Sequence, residues 1–310
     1  MLSNLSVVLP IFALILAGFM ARRTGALGPN ATREVNRLVV YLALPALLFD
    51  IMATADLAAV WRPGFIAAFS IGCAVVFGLT LMLRMRAGAP LADAAIDGLN
   101  ASYANTGFVG FPLALAVIGA QAMAPTLVAT ILTVSVLFAV AIILIEIALQ
   151  TGGSRRAIFA RTGLSLVKNP LLIAPVLGLV FMCAGWTLPQ PADAFLKLLG
   201  GAASPCALIA LGLFLAGSAG QKPPQGAGVE WGLIAAKLIG QPLVTWGAAM
   251  ALGLGAQEAF LVTLLSALPT GTGPFMLAEF YSRNGLLTGR VVLKTTLLSI
   301  VTIAALLALG

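Results

Sequence analysis

The feature that most constrains this chain is a series of apolar runs, each about as long as the 20 or so residues that a helix needs to cross a lipid bilayer. Hydrophobic side chains make up 61% of the 310 residues and charged ones only 9%, whereas about 25% of the residues in a soluble domain are charged. We therefore predict an all-α integral membrane protein in contact with membrane lipid. The predicted spans 1 to 10 cover residues 4–21, 36–54, 63–84, 94–119, 123–149, 164–184, 194–218, 229–254, 258–282 and 288–309.

Positively charged residues mark the gaps between the spans. A net charge of +7 would suit a nucleic-acid-binding protein, but the lysines and arginines lie mostly in alternate gaps, which is the pattern of the positive-inside rule. The gaps on the other side hold only Arg62 and Lys197. We therefore expect both termini outside the cell and no nucleic-acid partner. The gaps assigned to the cytoplasm carry Arg22, Arg23, Arg33, Arg37, Arg84, Arg86, Arg155, Arg156, Arg161, Lys168, Lys222, Arg283, Arg290 and Lys294.

The two halves of the chain are similar at matched positions. Residues 10–18 of span 1 and 170–178 of span 6 both begin with proline and end with glycine. The same offset places Pro45 of span 2 on Pro205 of span 7. Chance would explain one such match between apolar segments, but several matches in the same order indicate an internal repeat.

A further match lies in spans 4 and 9, where NTGFVGFPLA at 105–114 aligns with PTGTGPFMLA at 269–278. An odd number of spans in each repeat makes the second repeat enter the membrane from the opposite side. We therefore predict ten transmembrane helices as two inverted five-helix repeats, residues 1–154 and 155–310. The fourth helix of each repeat is expected to be broken, and the two broken helices are expected to cross.

Glycine and proline interrupt these two spans near their middle, from Asn105 to Pro112 and from Pro269 to Pro274. Backbone groups freed by unwinding persist at membrane depth only in contact with protein or a watery cavity, and paired interruptions indicate a substrate site near the midplane. A simple packing role for the small residues is the alternative. The candidate substrate-binding residues are Asn105, Thr106, Gly107, Gly110, Pro112, Pro269, Thr270, Gly271, Thr272, Gly273 and Pro274.

Helices that resume after the breaks would direct their N-termini, each with about half a positive charge, at one region. This favours a small organic anion, with side-chain donors from the threonines and Asn105. Free carbonyl groups in the breaks could hold a cation such as Na⁺. The sequence leaves open whether H⁺, Na⁺ or no ion is coupled to transport. The chain has no histidine and its three cysteines lie singly, so we predict no metal site and no cofactor.

Other polar and proline residues inside the spans are candidates for the pathway or for coupling, because ionisable groups at membrane depth cost about 2.5–3.5 kcal/mol. Lys237 is interpreted either as a partner of an anion or carboxylate, or as a side chain that snorkels towards the cytoplasm. Glu146 and Glu279 are interpreted as solvated or ion-paired groups, and the prolines as pathway walls or packing kinks. The candidates are Pro45, Asp97, Asn100, Ser204, Pro205 and Lys237.

The segments NTGFVGFPLALAVIG, from Asn105, and LPTGTGPFMLAEFY, from Leu268, resemble the auxin efflux carrier family, in particular its bacterial members described as malonate transporters. The resemblance implies a scaffold part of spans 1, 2, 6 and 7 and a transport part of spans 3–5 and 8–10. It also implies a multi-pass protein of the bacterial inner membrane. Plant members carry Asn-Pro-Asn in the fourth helix, where this chain has Ala-Asn-Thr at 104–106, so recognition of auxin itself is not implied.

We therefore expect a secondary transporter that moves a small organic anion, a mono- or dicarboxylate such as malonate, by alternating access. The alternatives are an intramembrane enzyme, a channel, or a sodium-coupled carrier of a larger acid that resembles the bile acid symporters. The sequence offers no nucleophile with a base and no paired carboxylates at depth, so we do not expect an enzyme. It also lacks the GxxxxGK[ST] pattern of an ATP-binding loop. A homodimer stays open as an oligomeric state.

Overall fold

The computed structural model describes residues 2–56, 61–150, 164, 166–218 and 226–309, and every regular element within these ranges is helical. The predicted repeat boundary at 154/155 lies outside the described residues, as do Arg155, Arg156, Arg161 and Lys222. The helices are α1 (Leu2–Arg23), α2 (Ala31–Ala53), α3 (Pro63–Arg86), α4 (Leu91–Ser102), α5 (Thr106–Val117), α6 (Ala120–Leu149), α7 (Pro170–Cys183), α8 (Gln190–Gly217), α9 (Gly228–Ala251), α10 (Ala256–Ser266), α11 (Gly273–Phe280) and α12 (Gly285–Leu309).

Within the described part of the chain, 6 helices are long and apolar enough to cross a membrane, namely α2, α3, α6, α8, α9 and α12. Three shorter helices, α5, α7 and α10, are also apolar. Many large hydrophobic side chains on these helices face outwards, as expected where lipid rather than water surrounds the protein. The prediction of an all-helical membrane protein is confirmed at this level.

Proline shapes several of these helices by interrupting the regular hydrogen-bond ladder. A proline has no N–H, and its ring clashes with the carbonyl four residues earlier, so the helix widens locally into a π turn. Three π turns in the described helices are followed by a proline at the second position after the turn. The turns are Val39–Ala43, Thr106–Gly110 and Ala236–Gly240, and the prolines are Pro45, Pro112 and Pro242.

One group of helices packs through glycines that bring backbones close together. Helix α1 lies along the second half of α8, and α2 packs on α7 and α8. A Cβ on Gly18 would collide with the carbonyl oxygen of Ile209, and a Cβ on Gly178 would lie 2.6 Å from the carbonyl oxygen of Phe49. The offset that relates Gly18 to Gly178 also relates Phe49 to Ile209, so the two contacts occupy equivalent positions in the two halves.

A second group of helices packs around α3, α4 and α9. Helix α3 contacts both α4 and α9, α9 contacts α10 and α12, and α4 contacts the end of α6. Large buried side chains such as Phe65, Phe69 and Phe138 fill this part of the core. The helices that follow the breaks belong to this group as well, because α5 packs on α6 and α11 packs on α4 and α12.

Candidate functional site

Two helix breaks form the centre of the candidate site. Helix α4 ends at Ser102 and α5 begins at Thr106, while α10 ends at Ser266 and α11 begins at Gly273. Each break leaves backbone N–H and C=O groups without partners in a regular helix. Such groups inside a helical membrane protein have to find partners elsewhere in the protein or in a watery cavity.

The two breaks satisfy part of this requirement by bonding to each other. The Asn105 N–H donates to the Pro269 carbonyl at 2.9 Å, and the Gly271 N–H donates to the Tyr103 carbonyl at 3.0 Å. The two unwound segments thus pair as a short antiparallel bridge. The structure therefore brings together the two interruptions that the sequence predicts.

The first break lies earlier than the sequence predicts. The unwound residues begin at Tyr103 rather than at Asn105, and the chain is helical again from Thr106. Asn105 ends the break because its side-chain Oδ1 accepts the Phe108 N–H at 3.3 Å, which caps the new helix. The predicted break residues Gly107, Gly110 and Pro112 lie inside α5.

The second break is also displaced towards the N-terminus. It runs over residues 267–272, whereas the sequence predicts Pro269 to Pro274. Gly273 and Pro274 form the first turn of α11. Proline is well accommodated there because the first turn of a helix does not use its N–H groups.

A cavity of about 310 Å³ opens at the two breaks. Its lining comes from both breaks and the first turns of the helices that follow them, and from α2, α6 and α8. The predicted site residues in the lining are Asn105, Thr106, Gly107, Ser204, Pro205, Gly271, Thr272 and Gly273. The predicted residues that lie outside the lining are Pro45, Asp97, Asn100, Gly110, Pro112, Lys237, Pro269, Thr270 and Pro274.

The electrostatic character of this cavity comes from backbone dipoles. Helices α5 and α11 both begin at the cavity, since Thr106 and Gly273 are in the lining. The N-terminus of each helix carries a partial positive charge and unpaired N–H groups. No lysine, arginine, aspartate or glutamate is among the described residues of the lining. The cavity is therefore suited to a small anion held by helix N-termini and hydroxyl groups.

Thr106 and Thr270 are equivalent in the repeat but differ in their environment. Both are fully buried. Thr106 lines the cavity, and its Oγ1 has no hydrogen-bond partner among the described residues. The Thr270 Oγ1 donates to the Asn100 carbonyl at 2.8 Å. Thr270 therefore joins the second break to α4 in this structure, and its part in substrate binding stays a prediction.

Tyr103 is a cavity residue that the sequence analysis did not identify. Its ring is buried and packs on Phe138 with centroids 5.6 Å apart. A Cβ on Gly271 would lie 2.8 Å from this ring, and one on Gly273 would lie 2.7 Å from it. Those glycines are therefore needed to make room for Tyr103. In the sequence, the one signal that could have identified Tyr103 as a cavity residue was the position of an aromatic side chain next to a predicted break.

The ionisable candidates occupy structural positions around the breaks. Asp97 is buried and its Oδ2 lies 2.7 Å from the Arg84 Nε. The Asn100 Nδ2 donates to the Thr288 Oγ1 at 3.1 Å. Asp97 thus forms an ion pair with Arg84 in this structure. Its role in coupling, like that of Asn100, stays a prediction.

Lys237 does not snorkel, and that interpretation is wrong. Its side chain is fully buried, and its Nζ donates to the Ser266 carbonyl, the last of α10, at 2.7 Å. Glu146 is also buried and accepts a hydrogen bond from the Tyr281 hydroxyl at 2.6 Å. Glu279 lines a separate cavity together with Arg33 and Arg37 of α2.

Comparison with known proteins shows that the sequence of this chain is similar to those of transporters. Residues 5–307 match the family described as "Membrane transport protein". The chain is 31% identical to a "Putative malonate transporter" of Rhizobium meliloti (strain 1021), over 97% of this chain and 94% of the relative. It is 26% identical to "Uncharacterized transporter YfdV" of Escherichia coli (strain K12), over 90% of this chain and 89% of the relative. It is 29% identical to "Auxin efflux carrier component 6" of Arabidopsis thaliana, over 50% of this chain and 28% of the relative.

Proposed function

The chain belongs to the membrane transport protein family, which includes the auxin efflux carriers, and from this premise we propose that it is a secondary carrier of a small organic anion. The observation that carries the proposal is the cavity at the two breaks, where the N-termini of α5 and α11 converge beside Thr106, whose buried hydroxyl has no partner among the described residues. The names of the family and of its relatives are those of transporters, in agreement with the expectation that the chain is not an enzyme.

The proposed substrate is a mono- or dicarboxylate such as malonate. One relative carries malonate in its name, and a cavity of about 310 Å³ is of the size that holds small ligands. A carboxylate would accept hydrogen bonds from the Thr106 hydroxyl and from N–H groups in the first turns of α5 and α11. Apolar side chains such as Leu47 and Met276 would surround its carbon atoms.

The proposed mechanism is alternating access by two inverted five-helix repeats with ten membrane spans. The equivalent contacts Gly18–Ile209 and Gly178–Phe49 support the repeat. The two packing groups support a scaffold of α1, α2, α7 and α8 and a transport part of the remaining helices. Because the cavity lies between these parts, sliding one against the other would expose it to each side in turn.

The remaining features of the proposal concern the membrane and the driving force. We place the carrier in the bacterial inner membrane with both termini outside, from the distribution of its positive charges. A gradient of H⁺ or Na⁺ is the proposed energy source, and a homodimer is the proposed assembly if the carrier is not a monomer. None of these features is needed for the cavity to bind an anion.

Counterflow of labelled malonate into proteoliposomes tests the function. We expect saturable uptake that unlabelled malonate on the opposite side accelerates, which separates a carrier from a channel, and we expect loss of most uptake in Asn105→Ala. Gly247→Ala is the matched control, because a Cβ at that position of α9 meets open space. Uptake no greater than in empty liposomes, for malonate and for a panel of other small carboxylates, would contradict the proposal.

A further inference from the structure

One helix caps the ends of both half-helices that precede the breaks. On α9, Lys237 donates from its Nζ to the Ser266 carbonyl at 2.7 Å, and Gln241 donates from its Nε2 to the Ser102 carbonyl at 2.8 Å. Ser266 and Ser102 are the last residues of α10 and α4. The two capping side chains stand one helical turn apart, so they reach neighbouring points on the same side of α9.

The offset that aligns the two breaks gives the lysine a counterpart in the first repeat. It relates Lys237 to Cys73 and Ser266 to Ser102, and the Cys73 Sγ lies 3.9 Å from the Ser102 carbonyl oxygen. The same position in each repeat therefore contacts the last carbonyl before each break. Only the second repeat supplies an amino group there, while the first supplies a thiol and relies on Gln241 as well.

Burial of a charged amino group costs free energy unless the surrounding groups stabilise its charge. Lys237 is fully buried, and no carboxylate in the described part of the chain forms an ion pair with it. The C-terminal end of a helix carries about half a negative charge, and its last carbonyls have no helical partner. In transporters with broken helices, such half-helix ends and free carbonyls coordinate the coupling Na⁺.

We propose that the Lys237 ammonium is a tethered cation that occupies the place of a coupling Na⁺ at the C-terminal end of α10, the half-helix before the second break, so that transport does not require Na⁺. This inference rests on the proposed carrier function and concerns one point of it, namely whether Na⁺ is the coupling ion. The lysine lies in the π turn Ala236–Gly240, and Pro242 follows this turn. Lys237 is thus a positioning residue, since it holds the C-terminal end of α10 and does not line the cavity.

Two substitutions of Lys237 test the proposal, one that leaves an empty volume large enough for an ion and one that fills this volume with an uncharged side chain. In detergent-purified Lys237→Ala, Na⁺ or ammonium could enter the vacated volume, and we expect either ion to raise the melting temperature by about 3–5 °C relative to choline. Lys237→Met fills most of that volume without a charge, so we expect its shift, like that of the wild type, to stay below about 1 °C. Cys73→Ala, at the equivalent position of the first repeat, is the control and should resemble the wild type.

Transport gives the second readout. Wild-type malonate counterflow should be equal in Na⁺ and choline media, and ammonium should restore flux to Lys237→Ala but not to Lys237→Met. A requirement of the wild type for Na⁺, or a wild-type melting temperature that Na⁺ raises as much as that of Lys237→Ala, would overturn the tethered cation. If the wild type moved no carboxylate in either medium, the proposed function would fail, while the melting experiment would still decide the role of Lys237.

Discussion

Valine substitution at the two equivalent threonines separates binding from folding. Valine has nearly the shape of threonine but no hydroxyl. The Thr106 Oγ1 has no partner in the described structure, so Thr106→Val breaks no internal hydrogen bond and removes a buried polar atom without a partner. We expect the stability of this variant to stay equal or to rise by up to about 1 kcal/mol.

The opposite holds for Thr270. Its Oγ1 donates at 2.8 Å to the Asn100 carbonyl, which lies in the last turn of α4 and has no partner within the helix. Thr270→Val leaves this carbonyl buried and unpaired, at a cost of about 1–3 kcal/mol. For a chain of this size that corresponds to a fall in melting temperature of about 2–5 °C.

Transport should show the reverse order of effects. A hydrogen bond to a charged ligand contributes about 1.5–3 kcal/mol, which is about a 10- to 100-fold rise in KM for malonate in Thr106→Val. In Thr270→Val we expect a smaller change, because its hydroxyl does not reach the cavity. Melting curves in detergent and counterflow in proteoliposomes measure the two effects. A destabilised Thr106→Val with normal KM, or a Thr270→Val of normal stability with a large rise in KM, would refute the assignment.

Three other predictions concern the packing and the meeting of the helices. Gly212→Ala should lower stability by about 1–3 kcal/mol, because its Cβ would collide with a backbone carbonyl of α1, whereas the melting temperature of Gly247→Ala should hardly change. Asp97→Asn should lower stability by about 2 kcal/mol, less than for a fully buried pair because the partner guanidinium keeps some solvent contact; a melting curve equal to that of the wild type would contradict this. Ala104→Cys with Thr270→Cys, in a background without other cysteines, should form a disulfide under mild oxidation, and failure to cross-link on a gel would contradict the pairing of the two breaks.

Sequence reasoning located the two breaks because their cause is local. Proline and glycine disfavour a continuous helix wherever they occur. Segments 105–112 and 269–274 could therefore be recognised as interruptions of otherwise apolar spans. The start of each break depends on contacts across the molecule, and these have no local signature. Tyr103 unwinds because its carbonyl accepts the Gly271 N–H from the other repeat.

The same limit applies to the direction of individual side chains. The sequence allows Lys237 to snorkel towards the cytoplasm, but in the folded chain its side chain is buried and its Nζ donates to the Ser266 carbonyl. The repeat alignment likewise equates Thr106 with Thr270, although only one of them finds a partner in the described structure. Sequence similarity between repeats predicts equivalent backbones, while the surrounding side chains decide which hydroxyl stays available for a ligand.

The hydrogen bond between Thr270 and Asn100 joins residues that are 170 positions apart in the chain. During synthesis α4 therefore enters the membrane long before Gln241 of α9 and Thr270 of the second break have been made. The carbonyl groups at the C-terminal end of α4 lack these hydrogen-bond donors until then. Until then the nascent chain exposes polar backbone in an apolar environment. Ribosome stalling or truncation before α10 should thus leave an intermediate that membrane proteases recognise, although most of its spans have already been inserted.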